Sequence, residues 1–196
     1  MIGALADPGI SSVLRGRDRL LIAAFVLVNI IVVVVVLRVT GEDEGEEKSK
    51  VDVPPVGRVV ENTAIGAEMR RPKGWKVRSK GRQIDMRSPD SRTIMSISQP
   101  PGAKNGLNVV RTAIAAIRQN YRGVATRRSR GKIAGLRTTS RVVSATNRRR
   151  ARLNILVASP QGRTRAWLVQ VFSVPGAGFK RLREAQAALA TLRLRG

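Results

Sequence analysis

No cysteine and no histidine occur in the 196 residues of this chain. Thiol and imidazole nucleophiles, disulfide staples, structural zinc sites and lipid attachment through cysteine are therefore excluded. Acidic residues are scarce, 13 against 37 lysines and arginines, which leaves a formal charge of +24 at pH 7. Aromatic residues make up only 3%, so few side chains are available to stack on nucleic-acid bases. The length fits one ordinary domain with some chain to spare. Hydrophobic residues reach 42%, enough for a core, but one local run inflates that figure.

That run is Leu20 to Leu37, LLIAAFVLVNIIVVVVVL, 18 residues without charge and with Asn29 as its single polar member. As a helix rising about 1.5 Å per residue it nearly crosses a hydrocarbon core. The β-branched stretch Val32 to Val36 forms helix poorly in water, yet in lipid each backbone group must bond within its own segment, which favours helix. A cleaved signal peptide has a shorter apolar region and a small-residue cleavage site, and no A-x-A-like site follows Leu37. The expectation is a single-pass signal anchor at 20–37. The nearest basic residues number three on each side, Arg15, Arg17 and Arg19 before and Arg38, Lys48 and Lys50 after. Those before the helix lie closer, so 1–19 is expected in the cytoplasm and the remainder outside the membrane.

Residues 38–65 open with an acidic run, Glu42, Asp43, Glu44, Glu46 and Glu47, and continue through Pro54 and Pro55 without a sustained period. They are expected to be a linker, reaching about 30 Å if flexible. Its acids can alternatively dock on the basic C-terminal part and shield it. Residues 66–196 hold 30 basic residues and four acids, a net of +26, whereas 1–65 hold seven and nine, a net of −2. The 131 residues from 66 to 196 are enough for one domain with its own core.

Within this domain Ala67 to Met69 and Trp75 to Val77 suggest a short strand broken by RPKG, and Gln83 to Arg87 with Thr93 to Ser98 form a hairpin around SPDS. Leu107, Val110, Ile114, Ile117 and Tyr121 fall at helical spacing, with Asn105 or Asn108 as cap. Gly135 to Thr146, Ala151 to Ser159 and Arg163 to Val174 are three strand candidates of an antiparallel meander. Lys180 to Leu192 is a second helix, with Leu182, Ala185, Leu189 and Leu192 on one side.

The run RRPKGWKVRSKGRQIDMRSPDSRTIMSISQPPG, the later IAGL before a long strand, ARLNILVASPQGRTRAWLVQVFS and the final Ala/Leu helix resemble Mog1/PsbP-like domains, over residues 64 to 195. That resemblance implies an α+β fold, an antiparallel β-sheet sandwiched by helices, as in small membrane-anchored or lipid-anchored bacterial relatives. It also implies a non-catalytic binding or assembly module. The chain departs from the pattern in its Arg density and in lacking a lipobox cysteine.

No catalytic machinery is legible. Asp85 and Asp90 are the only neighbouring acids of the domain, and Arg82, Arg87 and Arg92 surround them, which opposes metal binding. Asp90 is read as a turn former and Asp85 as ion-paired. A glycosidase pair drawn from Glu68, Asp85, Asp90 and Glu184 is unsuited, because nearby arginines depress the acid whose pKa must rise. Lys132 in GKIAG lacks the spacing of a phosphate-cradling loop, and PGAG at 175–178 lacks a third glycine. No enzyme activity, metal or cofactor is expected. Trp75 is assigned to the edge of the core.

Positive charge remains, in clusters at 70–82, 127–132, 148–152 and 180–183, and 29 of the 37 basic residues are arginine. Its planar fork binds phosphate and carboxylate bidentately. A biased coding composition would also enrich arginine. Arg127, Arg128, Arg148, Arg149 and Arg150, in expected loops and at a hairpin tip, are the candidate contacts for an anionic partner. The expected partner is anionic lipid, an acidic envelope polymer or an acidic protein, met outside the cytoplasm. The alternative is a cytoplasm-facing, membrane-tethered nucleic-acid-binding protein.

Overall fold

The computed structural model describes residues 56–148, 150–174 and 177–195. The expected membrane helix 20–37, the segment 1–19, the acidic run and Arg149 lie outside the described residues. Among those described, no helix is long and apolar enough to cross a membrane.

The fold is α+β and mostly antiparallel sheet. Strands β1 (Val56–Asn62), β2 (Ala67–Pro72) and β11 (Arg193–Leu194) form a small sheet in the order β1-β2-β11. The large sheet contains β3 (Lys76–Lys80), β4 (Gln83–Arg87), β5 (Thr93–Ser98), β6 (Arg122–Ser129), β8 (Leu136–Thr146), β9 (Arg152–Gln161) and β10 (Leu168–Ser173). Its order is β3-β4-β5-β10-β9-β8-β6, and the short β7 (Lys132–Ile133) also pairs with β8. Helix α1 (Gly106–Asn120) packs on β8, β9, β10 and β6, while helix α2 (Gly178–Ala190) packs on β2, β1 and β5.

The small sheet corrects the expected linker boundary. Residues 56–65 belong to the folded unit, because Val59 to Asn62 pair with Arg70 to Ala67 and a 3-10 turn at Thr63–Ile65 closes the hairpin. A bulge between Val56 and Val59 breaks the alternation that would have marked a strand. The expected broken strand around RPKG is instead two strands in different sheets, β2 and β3. Asn62 staples the sheets together, its Nδ2 donating to Ser79 Oγ at 3.0 Å and to the carbonyls of Gly81 at 3.0 Å and Gln83 at 3.2 Å.

The expected β4–β5 hairpin and the β8-β9-β10 meander are present. Asn105 caps α1, its Oδ1 accepting from the backbone N–H groups of Leu107 at 2.9 Å and Asn108 at 3.2 Å. The buried stripe of α1 is rotated from the expected one. Val109, Val110, Ala113, Ala116 and Ile117 face the sheet, whereas Leu107 is 37% exposed. Small alanines let the helix lie close to β9, so the packed face is set by size as well as hydropathy.

The core is continuous from Ile65 and Met69 through the strands of the large sheet to Val110 and Ile117. Trp75, Trp167 and Phe172 are almost fully buried. The indole of Trp167 donates to the Ile65 carbonyl at 2.7 Å and that of Trp75 to Glu184 Oε2 at 2.9 Å, so both buried rings have their polar atom paired.

Candidate anion-binding surface

The acids of the folded part are nearly all engaged in its own construction. Glu184, buried in α2, accepts from Trp75, and its two carboxylate oxygens accept from Arg181 Nη1 at 3.0 and 2.9 Å. Arg181 Nε also reaches Asp90 Oδ2 at 3.1 Å. Asp90 Oδ1 closes the β4–β5 turn by accepting from Ser88 Oγ at 2.5 Å and from the Arg92 backbone N–H at 3.1 Å. Partial burial pushes the Asp90 carboxyl up, but these hydrogen bonds and the Arg181 guanidinium together hold it below the ordinary carboxylate value. The carboxylates of Glu184 and Asp90 raise Arg181 in turn, against the opposing effect of its burial. Glu68 pairs with Arg195 at 3.0 Å.

Among the described residues Asp85 closes no salt bridge, contrary to the expected ion pair. Its Oδ1 accepts from Gln83 Nε2 at 2.6 Å, and Arg78 stands opposite it in the strand register without closing a salt bridge. Asp85 and Asp90 sit on a strand and a turn with separate partners. No group of three or more potential metal-ligating residues occurs among the described residues.

The cations, by contrast, face outward. On the edge strand β3, Lys76 and Lys80 are exposed, with Arg78 between them on the same alternating face. Arg127 and Arg128 are exposed on β6, the opposite edge strand, and not in a loop as expected. Successive positions point to opposite faces, so these two arginines serve different sides of the sheet. The β6 strand escaped the sequence reading because RGVATRRS has little apolar alternation and a register shift separates Arg122 from Ala125. Its ladder to β8 defines it.

Arg148 and Arg150 do occupy the expected hairpin tip, between β8 and β9. The turn is closed by Asn147, whose backbone carbonyl accepts from the Arg150 N–H at 3.0 Å and whose Oδ1 accepts from the Ala151 N–H at 2.9 Å. Arg150 holds φ at +60°, a left-handed conformation usually left to glycine or asparagine. Beside this tip lies a cleft of about 540 Å³ lined by Gln119, Asn120, Tyr121, Arg122, Thr146, Asn147, Arg148 and Arg150. The end of α1 supplies Gln119 and Asn120, Tyr121 follows it, the start of β6 supplies Arg122, the end of β8 supplies Thr146, and the β8–β9 turn supplies the rest. Burial pushes the Tyr121 phenol above its ordinary pKa, so it remains a protonated donor at neutral pH.

No family model and no curated protein matches this chain. A crystal structure of a protein from Bacteroides thetaiotaomicron is similar, at 16% identity and a TM-score of 0.45, over 67% of this chain. The chain spans 46% of the length of that protein.

The structure divides the four described members of the five expected contact residues. Arg148 and Arg150 share a cleft with Arg122, which charge clustering had not singled out. Arg127 lies five strand positions beyond Arg122, about 17 Å along β6. Tyr121 and Arg122 were missed as site residues because only the β6–β8 pairing brings them to the tip. Their signal in the sequence was confined to the end of a helical period.

Proposed function

We propose that this chain is a single-pass, membrane-anchored, non-catalytic binding or assembly module. Its folded part lies outside the cytoplasm and engages an anionic partner through its arginine-rich surface. The α+β fold is proposed to be of the Mog1/PsbP type, its sheet between helical layers. One observation carries the binding reading. Glu68, Asp90 and Glu184 are bound to Arg181 or Arg195, while the arginines and lysines of β3, β6 and the β8–β9 tip stand exposed. Such a surface repels itself and gains free energy when an external anion neutralises it.

Phe179 supports a partner at the bilayer. It is 76% exposed in the first turn of α2, with Lys180 beside it and the Arg183 guanidinium 5.8 Å from its ring centre. An aromatic ring among cations suits the boundary between headgroups and acyl chains. The burial of Trp75, Trp167 and Phe172 removes three of the aromatics that single-stranded nucleic acid would need for stacking.

The test has two arms. Protease added to intact cells should remove the folded part, whereas protection would favour the cytoplasmic, nucleic-acid-binding alternative. Replacing Arg127, Arg128, Arg148, Arg149 and Arg150 together by glutamine should weaken low-salt retention of the full chain on anionic vesicles or acidic polymers. Unchanged retention on both would refute the assigned surface.

A further inference from the structure

The cleft at the β8–β9 tip has a composition that narrows the ligand, if the anion-binding reading on which this inference rests is correct. We propose that it binds a phosphate monoester, gripping the terminal phosphoryl group with Arg122, Arg148 and Arg150.

Its volume of about 540 Å³ lies within the range of small-molecule sites, roughly 300–1,000 Å³, and exceeds what an inorganic ion fills. There is room for the group that carries the phosphate. None of the described lining residues is acidic, and three of them are arginines. A carboxylate offers two oxygens and one negative charge. A monoester phosphate offers three terminal oxygens and close to two charges at neutral pH, which better matches three guanidinium forks.

The last turn of α1 also lines the cleft, through Gln119 and Asn120. A helix C-terminus is equivalent to roughly half a negative charge. That end effect offsets about half of one cation, so the three arginines still leave about +2.5 for a ligand. The remaining lining groups suit a polar ester: the amides of Gln119 and Asn147, the Thr146 hydroxyl and the Tyr121 phenol.

The framework is held from both sides. The Tyr121 backbone N–H donates to the Ile117 carbonyl at 2.9 Å, which ties the start of the β6 wall to α1. The Asn147 hydrogen bonds fix the turn that carries Arg148 and Arg150. Keeping arginine at the left-handed turn position costs stability, and such costs concentrate at binding sites.

Two sources present the same chemistry, a soluble phosphomonoester and the headgroup of phosphatidic acid. The full chain in neutral-lipid nanodiscs is titrated calorimetrically with glycerol 3-phosphate. In parallel, nanodiscs containing phosphatidic acid are compared with others matched in total lipid charge by phosphatidylglycerol, a diester. Variants Arg148→Gln and Arg150→Gln are set against Arg111→Gln and Arg163→Gln, exposed arginines that line neither the cleft nor the β3, β6 and tip surface.

Saturable binding in either arm is expected, weakened about tenfold by each cleft variant and less than about twofold by each of the other two. Glycerol 3-phosphate binding would identify a soluble ligand, and preference for phosphatidic acid alone a lipid one. Affinity should rise as the monoester loses its second proton, near pH 6. Equal losses from all four variants, equal binding of the diester surface, or no binding in either arm would overturn the cleft assignment. If the wild-type chain also failed to bind any anionic surface at low salt, the broader reading would fall with it.

Discussion

Arg150 occupies a backbone conformation that costs a residue with a Cβ roughly 1–2 kcal/mol. Glycine relieves that cost but gains freedom in the unfolded chain. Arg150→Gly is therefore expected to raise stability by about 0.5–1 kcal/mol in urea titrations, while lowering affinity for anionic surfaces. A variant that lost both would mean the side chain supports the turn itself. Glu184 is the opposite case, because its carboxylate serves the Trp75 indole and the Arg181 guanidinium at once. Glu184→Ala leaves the buried Trp75 donor without an acceptor and Arg181 with Asp90 as its remaining ion-pair partner among the described residues, at an expected cost of about 2–3 kcal/mol. Glu184→Gln keeps an acceptor for Trp75 and should cost less in the same denaturation assay. Asp90 adds a pH dependence whose direction follows from its lowered pKa. Its contribution is complete above the ordinary value of 3.8 and is lost as pH falls through the lower folded value. Thermal melts of Asp90→Asn in acid should show a flatter decline below that point than the parent chain.

Among the elements, the small sheet depends on a close backbone approach at Gly66. This residue has φ at +61°, and a Cβ there would stand 2.5 Å from the Arg195 carbonyl oxygen. The Arg195 N–H donates to the Gly66 carbonyl at 2.8 Å, so the neighbour cannot withdraw without breaking the sheet. Gly66→Ala should lower the denaturation midpoint by the equivalent of about 2 kcal/mol or more. Gly81, at φ +53° with nothing within 4 Å, should tolerate alanine at about 1 kcal/mol. The elements legible in the sequence were those whose patterning is local. The β4–β5 pair flanks a turn with its own side-chain bonds, α1 carries its own cap, and β8, β9 and β10 repeat apolar residues between clear turn signals. Strands β1 and β6 were not legible, since each has a register shift and owes its form to a partner strand. The same reason hid half of the cleft: Arg122 reaches Arg148 and Arg150 through tertiary pairing that no spacing of charges records.

At the scale of the whole molecule, charge separates two kinds of contact. Pairs such as Arg181 with Glu184 are partly shielded from solvent, whereas the cations on β3, β6 and the tip are exposed. Dissolved salt should therefore weaken surface binding well before it weakens the fold. Between about 50 mM and about 300 mM salt, a range that shortens the Debye length, vesicle retention should fall steeply while the melting temperature changes little. A parallel fall of both would mean that the exposed cations also hold the fold together.

Both ends of the large sheet present edge-strand backbone bordered by positive side chains, Lys76, Arg78 and Lys80 on one and Arg127 and Arg128 on the other. Two molecules meeting rim to rim would bring like signs together, a barrier against fibrous stacking. The protective layer is electrostatic and hence removable. Concentrated electrolyte, or a polyanion bridging two rims, would turn a self-avoiding particle into one prone to cluster, so recruitment to a crowded negative lattice would also license crowding of the protein itself.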